Sequence, residues 1–292
     1  MHWFPLTLLC AFSLASADAA TKRWLGDCSA AELTLIRFTF TGLLLSPLLL
    51  LTPFPPLPAP FWYWMALLLP LEILAMLLYL RAIRDYPFSL TLPYIAFTPV
   101  FVVLTGWLLL GEAISMQGFG GILLIVIGAW ILNLKPQTLK QPWGIVAPLK
   151  AILQNRGSRL MLGVAFIYSI TSVGGKGAMK YLPAELFGPF YFLLIGLATL
   201  VLFSLRDSNM PKVLFRRPGA SLLVGALTAI MVITHFLAIQ KVEAAYMIGV
   251  KRTSLLFGIL YGALLFKETG LRLHLIAGGL MVAGVALIAT GP

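Results

Sequence analysis

The chain has 292 residues, 60% of them hydrophobic and 11% charged, with a formal net charge of +11 and a mean hydropathy of +0.96. Soluble globular domains are roughly half apolar and a quarter charged, so this composition excludes one and reads as an integral membrane protein. A basic excess in such a chain belongs to loops on the anionic cytoplasmic leaflet rather than to nucleic acid, for which no binding pattern is present. Its two cysteines, Cys10 inside an apolar run and Cys28 near a loop, form neither a disulfide framework nor a metal spacing; they read as small core residues.

A membrane-crossing helix needs about 20 apolar residues. Runs bounded by charge, Pro and Gly predict ten, at 3–20, 32–51, 61–80, 90–110, 117–134, 160–181, 184–205, 221–239, 245–266 and 273–288. The first could pass for a secretory leader, apolar over 6–14 and small over 15–20, but no Lys or Arg precedes it, so it reads as a span. The Pro-rich stretch 53–60 is a stiff turn. Residues 135–159 are the one long connection, within which 143–153 is expected to lie along the interface as a short amphipathic helix.

The chain then repeats. At a constant offset of 156, Ala82 meets Ala238, Ile83 meets Ile239, Gly106 meets Gly262, Leu109 meets Leu265, Glu112 meets Glu268 and Gly128 meets Gly284. The predicted organisation is a first repeat over 1–134 (spans one to five), a connection over 135–159, and a second repeat over 160–292 (spans six to ten). Five spans is an odd number, so the second copy enters the membrane upside down. Inverted repeats of this kind belong to transporters, with substrate bound near mid-membrane where the halves meet.

Loop charge gives an orientation. Lys22, Arg23, Arg81, Arg84, Arg206, Lys212, Arg216, Arg217, Lys267 and Arg272 fall on one side with the basic residues of 135–159; the other side holds Lys180 and Lys241. That asymmetry assigns the first set to the cytoplasm and both termini to the outside.

Within the spans, Lys251 and Arg252 stand side by side about 9 Å into span nine. A charged side chain at membrane depth costs roughly 2.5–3.5 kcal/mol on insertion scales, so two adjacent cations imply a partner or a wet cavity. Lys176 lies about 7 Å before the end of span six and His235 about 6 Å before the end of span eight, which puts all of them at one level. An anion site needs that convergence: Arg252 can grip phosphate or carboxylate bidentately, while Lys supplies compact charge. The plainer alternative has Lys251 snorkelling outward, Arg252 paired with an internal acid, and His235 hydrogen-bonded in the core.

Glu72, near the middle of span three, is an ion-pair partner, a neutral acid or a proton-coupling group. Asp18 and Arg37, toward the cytoplasmic ends of spans one and two, read as a structural or gating pair. Glu112 and Glu268 end their spans as interfacial or turn residues. Gly118, Gly120, Gly121 and Gly128, with Gly278, Gly279 and Gly284, are expected to let spans five and ten pack closely. Gly174, Gly175 and Gly177 would loosen the helix around Lys176 or expose its backbone to substrate, and the aromatic run 61–64 reads as an interfacial belt.

Residues 82–134 closely resemble the end of an EamA module: a span with Pro99 at its centre, Gly111-Glu112 at its end, then a Gly-rich final span. Residues 237–289 look like a second copy, with Lys267-Glu268 for Gly-Glu and Leu255 where the Pro would be. The resemblance implies the drug/metabolite transporter superfamily, whose ten helices surround a central cavity and move small metabolites by alternating access. It also implies cytoplasmic termini, opposite to the loop charges. Lys251-Arg252 is similar to the ninth-span Lys-Arg pair with which triose-phosphate translocators of the same superfamily grip phosphate, and Lys176 is similar to a further lysine of that cradle.

The function expected is therefore secondary transport of a small anionic or zwitterionic organic metabolite, bound by Lys176, Lys251, Arg252 and His235. Phosphorylated metabolites come first and amino acids or other carboxylates second. The rival is an amino-acid or drug exporter coupled to protons through Glu72; a non-transporting scaffold or partner subunit would need no cations at mid-span. An enzyme would need convergent nucleophile, base or metal ligands, which three scattered histidines do not offer, and no cofactor or metal is implied. The expected location is multi-pass in a bacterial cytoplasmic (inner) membrane.

Overall fold

The computed structural model describes residues 2–86, 92–132, 155–266 and 271–290, and their regular structure is helical. The helices are α1 (Trp3–Trp24), α2 (Ala30–Leu45), α3 (Ala59–Asp85), α4 (Leu92–Ile95), α5 (Thr98–Leu110), α6 (Met116–Leu132), α7 (Arg156–Ala178), α8 (Ala184–Arg206), α9 (Pro218–Ile239), α10 (Ala244–Lys251), α11 (Ser254–Phe266) and α12 (Leu271–Ala289), with short 3-10 turns at Ser46–Leu50 and Met210–Phe215. The interfacial helix expected at 143–153, and Glu268, lie outside the described residues. Among the described residues six segments, Trp3–Trp24, Ala30–Leu50, Ala59–Ala82, Arg156–Ala178, Ala184–Arg206 and Pro218–Ile239, are long and apolar enough to cross a membrane; Thr98–Leu110, Met116–Ile131 and Ile276–Ala289 are shorter apolar helices. Leu43, Leu50, Trp107, Leu205 and Leu264 point outward, an arrangement that water penalises and lipid does not.

Local chemistry sets the helix ends. Ser29 and Glu32 form a reciprocal box at the start of α2, the Ser29 hydroxyl accepting from the Glu32 amide at 3.2 Å and the Glu32 carboxylate accepting from the Ser29 amide at 2.6 Å, which satisfies two otherwise orphaned donors. Pro47 then ends α2 in a tighter turn. At the end of α5, Gly111 takes a left-handed conformation at φ 69°. Its amide bonds back to Trp107 and the Glu112 amide to Gly106, each at 3.1 Å, the first being the single backward bond of a left-handed helix cap.

Two predicted spans come out divided. Span four breaks at residues 96–97, between α4 and α5; span nine breaks at 252–253, between α10 and α11. The breaks coincide at the 156-residue repeat offset, since Ala96 matches Arg252 and Phe97 matches Thr253. Pro99, at the second residue of α5, lacks the N–H that would continue the helix. Its counterpart Leu255 has that N–H, so proline alone does not make the break. Hydroxyls take up carbonyls freed nearby: Thr98 Oγ1 donates to Ile95 at 2.6 Å and Thr253 Oγ1 to Val250 at 2.8 Å, as a broken helix in lipid requires.

By contacts the chain divides into two compact units, Met1–Leu77 with Gly174–Val242, and Leu78–Val173 with Glu243–Pro292. Each draws helices from both halves of the sequence. In the first, α1 lies along α9 and α2 crosses α8. A Cβ built on Gly42 would sit 2.5 Å from the Phe192 carbonyl oxygen, and one on Gly196 would sit 2.9 Å from that of Phe38. Moving up α2 moves down α8, so the pair is antiparallel. In the second, α6 crosses α12 in the same sense: a Cβ on Gly121 would come within 2.8 Å of the Gly284 carbonyl, and one on Gly128 within 2.7 Å of that of Ala277. The glycine stripe is thus uneven. Gly118 faces the Tyr246 ring, Gly120 and Gly278 have leucine side chains at ordinary contact distance, and Gly279 has no neighbour within 4 Å.

Candidate functional site

In the first unit Arg37 is 4% exposed and its guanidinium meets the Asp18 carboxylate at 2.8 Å. The same nitrogen donates to Thr21 Oγ1 at 3.1 Å, whose hydroxyl in turn donates to the Ala17 carbonyl at 2.7 Å. The buried cation therefore has both charge compensation and hydrogen bonds, the condition for tolerating it away from water. The two residues predicted as a pair do meet.

Lys176, in the last turn of α7, donates from Nζ to the Val242 carbonyl at 2.6 Å. The helix around it is not loosened, for α7 runs on to Ala178. Its glycines make room for aromatic packing: a Cβ on Gly174 would meet the Trp64 ring at 3.2 Å, and one on Gly175 the Phe236 ring at 3.3 Å. Phe236 also stands edge-on to its neighbour His235, with centroids 4.9 Å apart, and to Phe187, at the same distance. His235 is buried in this aromatic group. Phe61, assigned by sequence to an interfacial belt, is buried and meets Phe187 edge-on at 6.4 Å. Glu72 is half-buried on α3, two residues past Pro70, which interrupts the hydrogen-bond ladder of that helix.

In the second unit Lys251 is the last residue of α10 and Arg252 its C-terminal cap. Both therefore sit at the negative end of a half-helix dipole, where cations are favoured. Arg252 is 7% exposed, its amide bonding to the Gly249 carbonyl and its own carbonyl accepting from Leu255, each at 3.0 Å. The sequence reading treats this stretch as one continuous helix; the structure divides it at the charged pair.

The opposite end of α10 is held by residues to which sequence reasoning gave no such role. Glu112 Oε2 accepts from the Ala244 amide at 2.9 Å. Tyr246 returns the contact, its hydroxyl accepting from the Ser115 amide at 2.8 Å and lying 3.2 Å from Ser115 Oγ. Ser115 Oγ in turn accepts from the Gly118 amide at 3.0 Å and so caps α6. A Cβ on Gly106 would lie 3.2 Å from Glu112 Oε2, so that glycine gives the folded-back carboxylate its space. The signal was visible, because Gly106 and Glu112 both recur at the 156-residue offset; what it meant required knowing that they touch.

Among the described residues no three His, Cys, Asp or Glu side chains cluster as a metal site would. No curated protein matches the chain. One solved structure, described only as a crystal structure of a protein, superposes with TM-score 0.70 at 18% identity, over 99% of this chain and 94% of that one, a likeness of fold. The model of the EamA-like transporter family matches residues 1–134 and 155–290. With multiple apolar helices, a broken helix at the same place in each half and the family's features over nearly its whole length, this integral membrane chain belongs to the EamA-like transporter family.

Proposed function

We propose that the protein carries a small anionic or zwitterionic organic metabolite across a bacterial cytoplasmic membrane by alternating access, through ten spans arranged as two inverted five-span repeats. The proposed contacts for the substrate's acidic group are Lys176, His235, Lys251 and Arg252. The observation that carries the reading is the place of Lys251-Arg252: two cations at the break of a discontinuous apolar helix. Transporters bind charged cargo at such interruptions, where backbone groups leave the helical ladder and side chains line a cavity. Phosphorylated metabolites are the first candidates, because a dianion best repays the cost of two apposed cations; amino acids and other carboxylates come second. No catalytic role is proposed for any residue.

Thermal unfolding of the purified protein with a panel of phosphate esters, amino acids and dicarboxylates tests this. At least one anion should raise the midpoint by several degrees, as ligand binding to the folded state does, and Lys251→Ala should abolish that rise. A hit that stabilises wild type and Lys251→Ala equally would remove Lys251 from the site. The second reading, a proton-coupled amino-acid or drug exporter, draws on half-buried Glu72 beside Pro70. It predicts that transport into vesicles follows an imposed pH gradient in wild type and loses that dependence in Glu72→Gln.

A further inference from the structure

The chain passes between the two compact units three times, at Leu77–Leu78, Val173–Gly174 and Val242–Glu243. The first two crossings lie inside continuous helices, α3 and α7; the third lies in the short connection between α9 and α10. A helix resists backbone rotation because every residue is tied to the one four before it. Hinges are instead made of a few residues in loops or at element ends, which describes the third crossing alone.

That connection is held on both sides. Toward the first unit, the Lys176 ammonium grips the Val242 carbonyl at 2.6 Å. Toward the second, the Glu112 carboxylate takes the Ala244 amide at 2.9 Å, the first residue of α10. That amide has no partner within its own helix, and a carboxylate there is further favoured by the helix dipole. Both are charge-assisted bonds, the strong kind. Because α10 runs only from Ala244 to Lys251, a grip on its first residue fixes the cations at its far end, about 10 Å along.

We propose that the Val242–Glu243 peptide is a hinge between the two units, pinned by Lys176 on one side and by Glu112 on the other, and that Glu112 is a positioning residue for the Lys251-Arg252 pair. The hinge goes beyond the transport reading and does not depend on what is carried.

Amide hydrogen exchange of the full chain in lipid nanodiscs tests it, comparing peptides that cover 240–250 with those from α8. Glu112→Ala and Lys176→Met should each speed exchange over 240–250 by roughly 10- to 100-fold, the loss of one charge-assisted bond, with α8 unchanged. Glu112→Gln, whose amide oxygen can still accept from Ala244, should recover most of the protection. Unchanged exchange over 240–250 in either Glu112→Ala or Lys176→Met would overturn the two-sided pin. So would acceleration shared by α8, or Glu112→Gln exchanging as fast as Glu112→Ala. A ligand panel in which nothing stabilises the protein would remove the proposed cargo and leave these rates as they are.

Discussion

The crossing of α2 with α8 in the first unit and that of α6 with α12 in the second both set antiparallel helices backbone to backbone, yet they fill the contact differently. At the first, Gly42 and Gly196 each face the other helix's backbone, and Phe38 and Phe192 meet edge-on with centroids 5.9 Å apart. Such an aromatic pair adds about 0.5–1.5 kcal/mol beyond its buried area. At the second, glycine stands on both sides of the Gly121–Gly284 contact, and closeness of the backbones replaces the rings, as in small-residue interfaces in lipid. In both, the contact is reciprocal under the repeat. Phe38 and Gly42 stand 154 residues before Phe192 and Gly196, and Gly121 and Gly128 stand 156 before Ala277 and Gly284. What the two crossings share is their antiparallel geometry; the residues that realise it are free to differ.

Placing a methyl group in each crossing is the most direct way to break that equivalence. A Cβ on Gly42 would lie 2.5 Å from a backbone oxygen, and one on Gly284 would lie 2.6 Å from another; neither neighbour is a flexible side-chain end that can swing away. Gly42→Ala and Gly284→Ala should each cost about 1–3 kcal/mol, the range for overpacking, read as a fall in the thermal midpoint in detergent. Gly279→Ala is the control: with no neighbour within 4 Å, it should be neutral or should gain up to about 1 kcal/mol of helix propensity. If Gly284→Ala matched Gly279→Ala, the α6–α12 crossing would not depend on close approach.

The first unit also carries a buried ion pair, and its two members should not be equivalent. Arg37 is 4% exposed and Asp18 32%, so removing Asp18 strands a charge that cannot reach solvent, whereas removing Arg37 strands one that can. Breaking a buried pair costs about 3–5 kcal/mol. Asp18→Ala should fall in that range and Arg37→Met below it, with the double variant costing less than the two singles together. Additive single and double variants would show that the 2.8 Å contact contributes nothing of its own.

That the chain is built of apolar helices, that residues recur at an offset of 156, and that Asp18 meets Arg37 were legible because hydropathy, self-similarity and charge are written residue by residue. The α2–α8 crossing was not, for an arithmetical reason: its offset is 154 where that of the later spans is 156, and a gapless comparison anchored on Ala82 and Ala238 cannot pass the two-residue difference. Span four read as one helix despite Pro99, and span nine offers no proline at all, Leu255 standing in its place. The clasp of Glu112 and Tyr246 on α10 escaped because its bonds join residues more than a hundred positions apart, and the sequence reports that Glu112 recurs without saying what it holds. The 176–251–252 grouping rests on depth along separate helices, a quantity sequence supplies, and not on proximity, which it does not.

Smaller effects sharpen the contrast where loops meet the first unit. Cys28 is buried in the cluster formed with Leu25, Leu35 and Val224. Burial, with the carboxylates of Asp27 and Glu32 beside it, pushes its thiol above the ordinary range, while Arg216 and Arg217 draw it down. A thiol raised in the folded state contributes stability that is complete below its unfolded value, about 8.5, and that is lost as pH rises through the folded value. Maleimide labelling of Cys28 should therefore be slow at pH 7.5, should speed up only above the ordinary thiol range, and should be slower still in Arg216→Ala. Labelling at the rate of a free thiol at pH 7.5 would show that Cys28 is not shielded.

That last variant should barely alter stability itself. Arg216 meets Glu32 at 3.1 Å and Asp27 at 3.6 Å, and Arg217 meets Asp27 at 3.1 Å, but both arginines are 52% exposed and Asp27 is 45% exposed. Water screens charges so placed, and exposed pairs contribute about 0–1 kcal/mol. Arg217 also donates to the Trp24 carbonyl at the end of α1, and Glu32 keeps its bond to the Ser29 amide, so the connection from α1 to α2 stays tied when Arg216 goes. Arg216→Ala should lower the thermal midpoint by less than Gly42→Ala, Gly284→Ala or Asp18→Ala, and the shift should shrink further as salt is raised. A fall as large as that of Asp18→Ala, persisting at high salt, would mean that the ion cluster joining α1, α2 and α9 supports the first unit as strongly as its buried pair does.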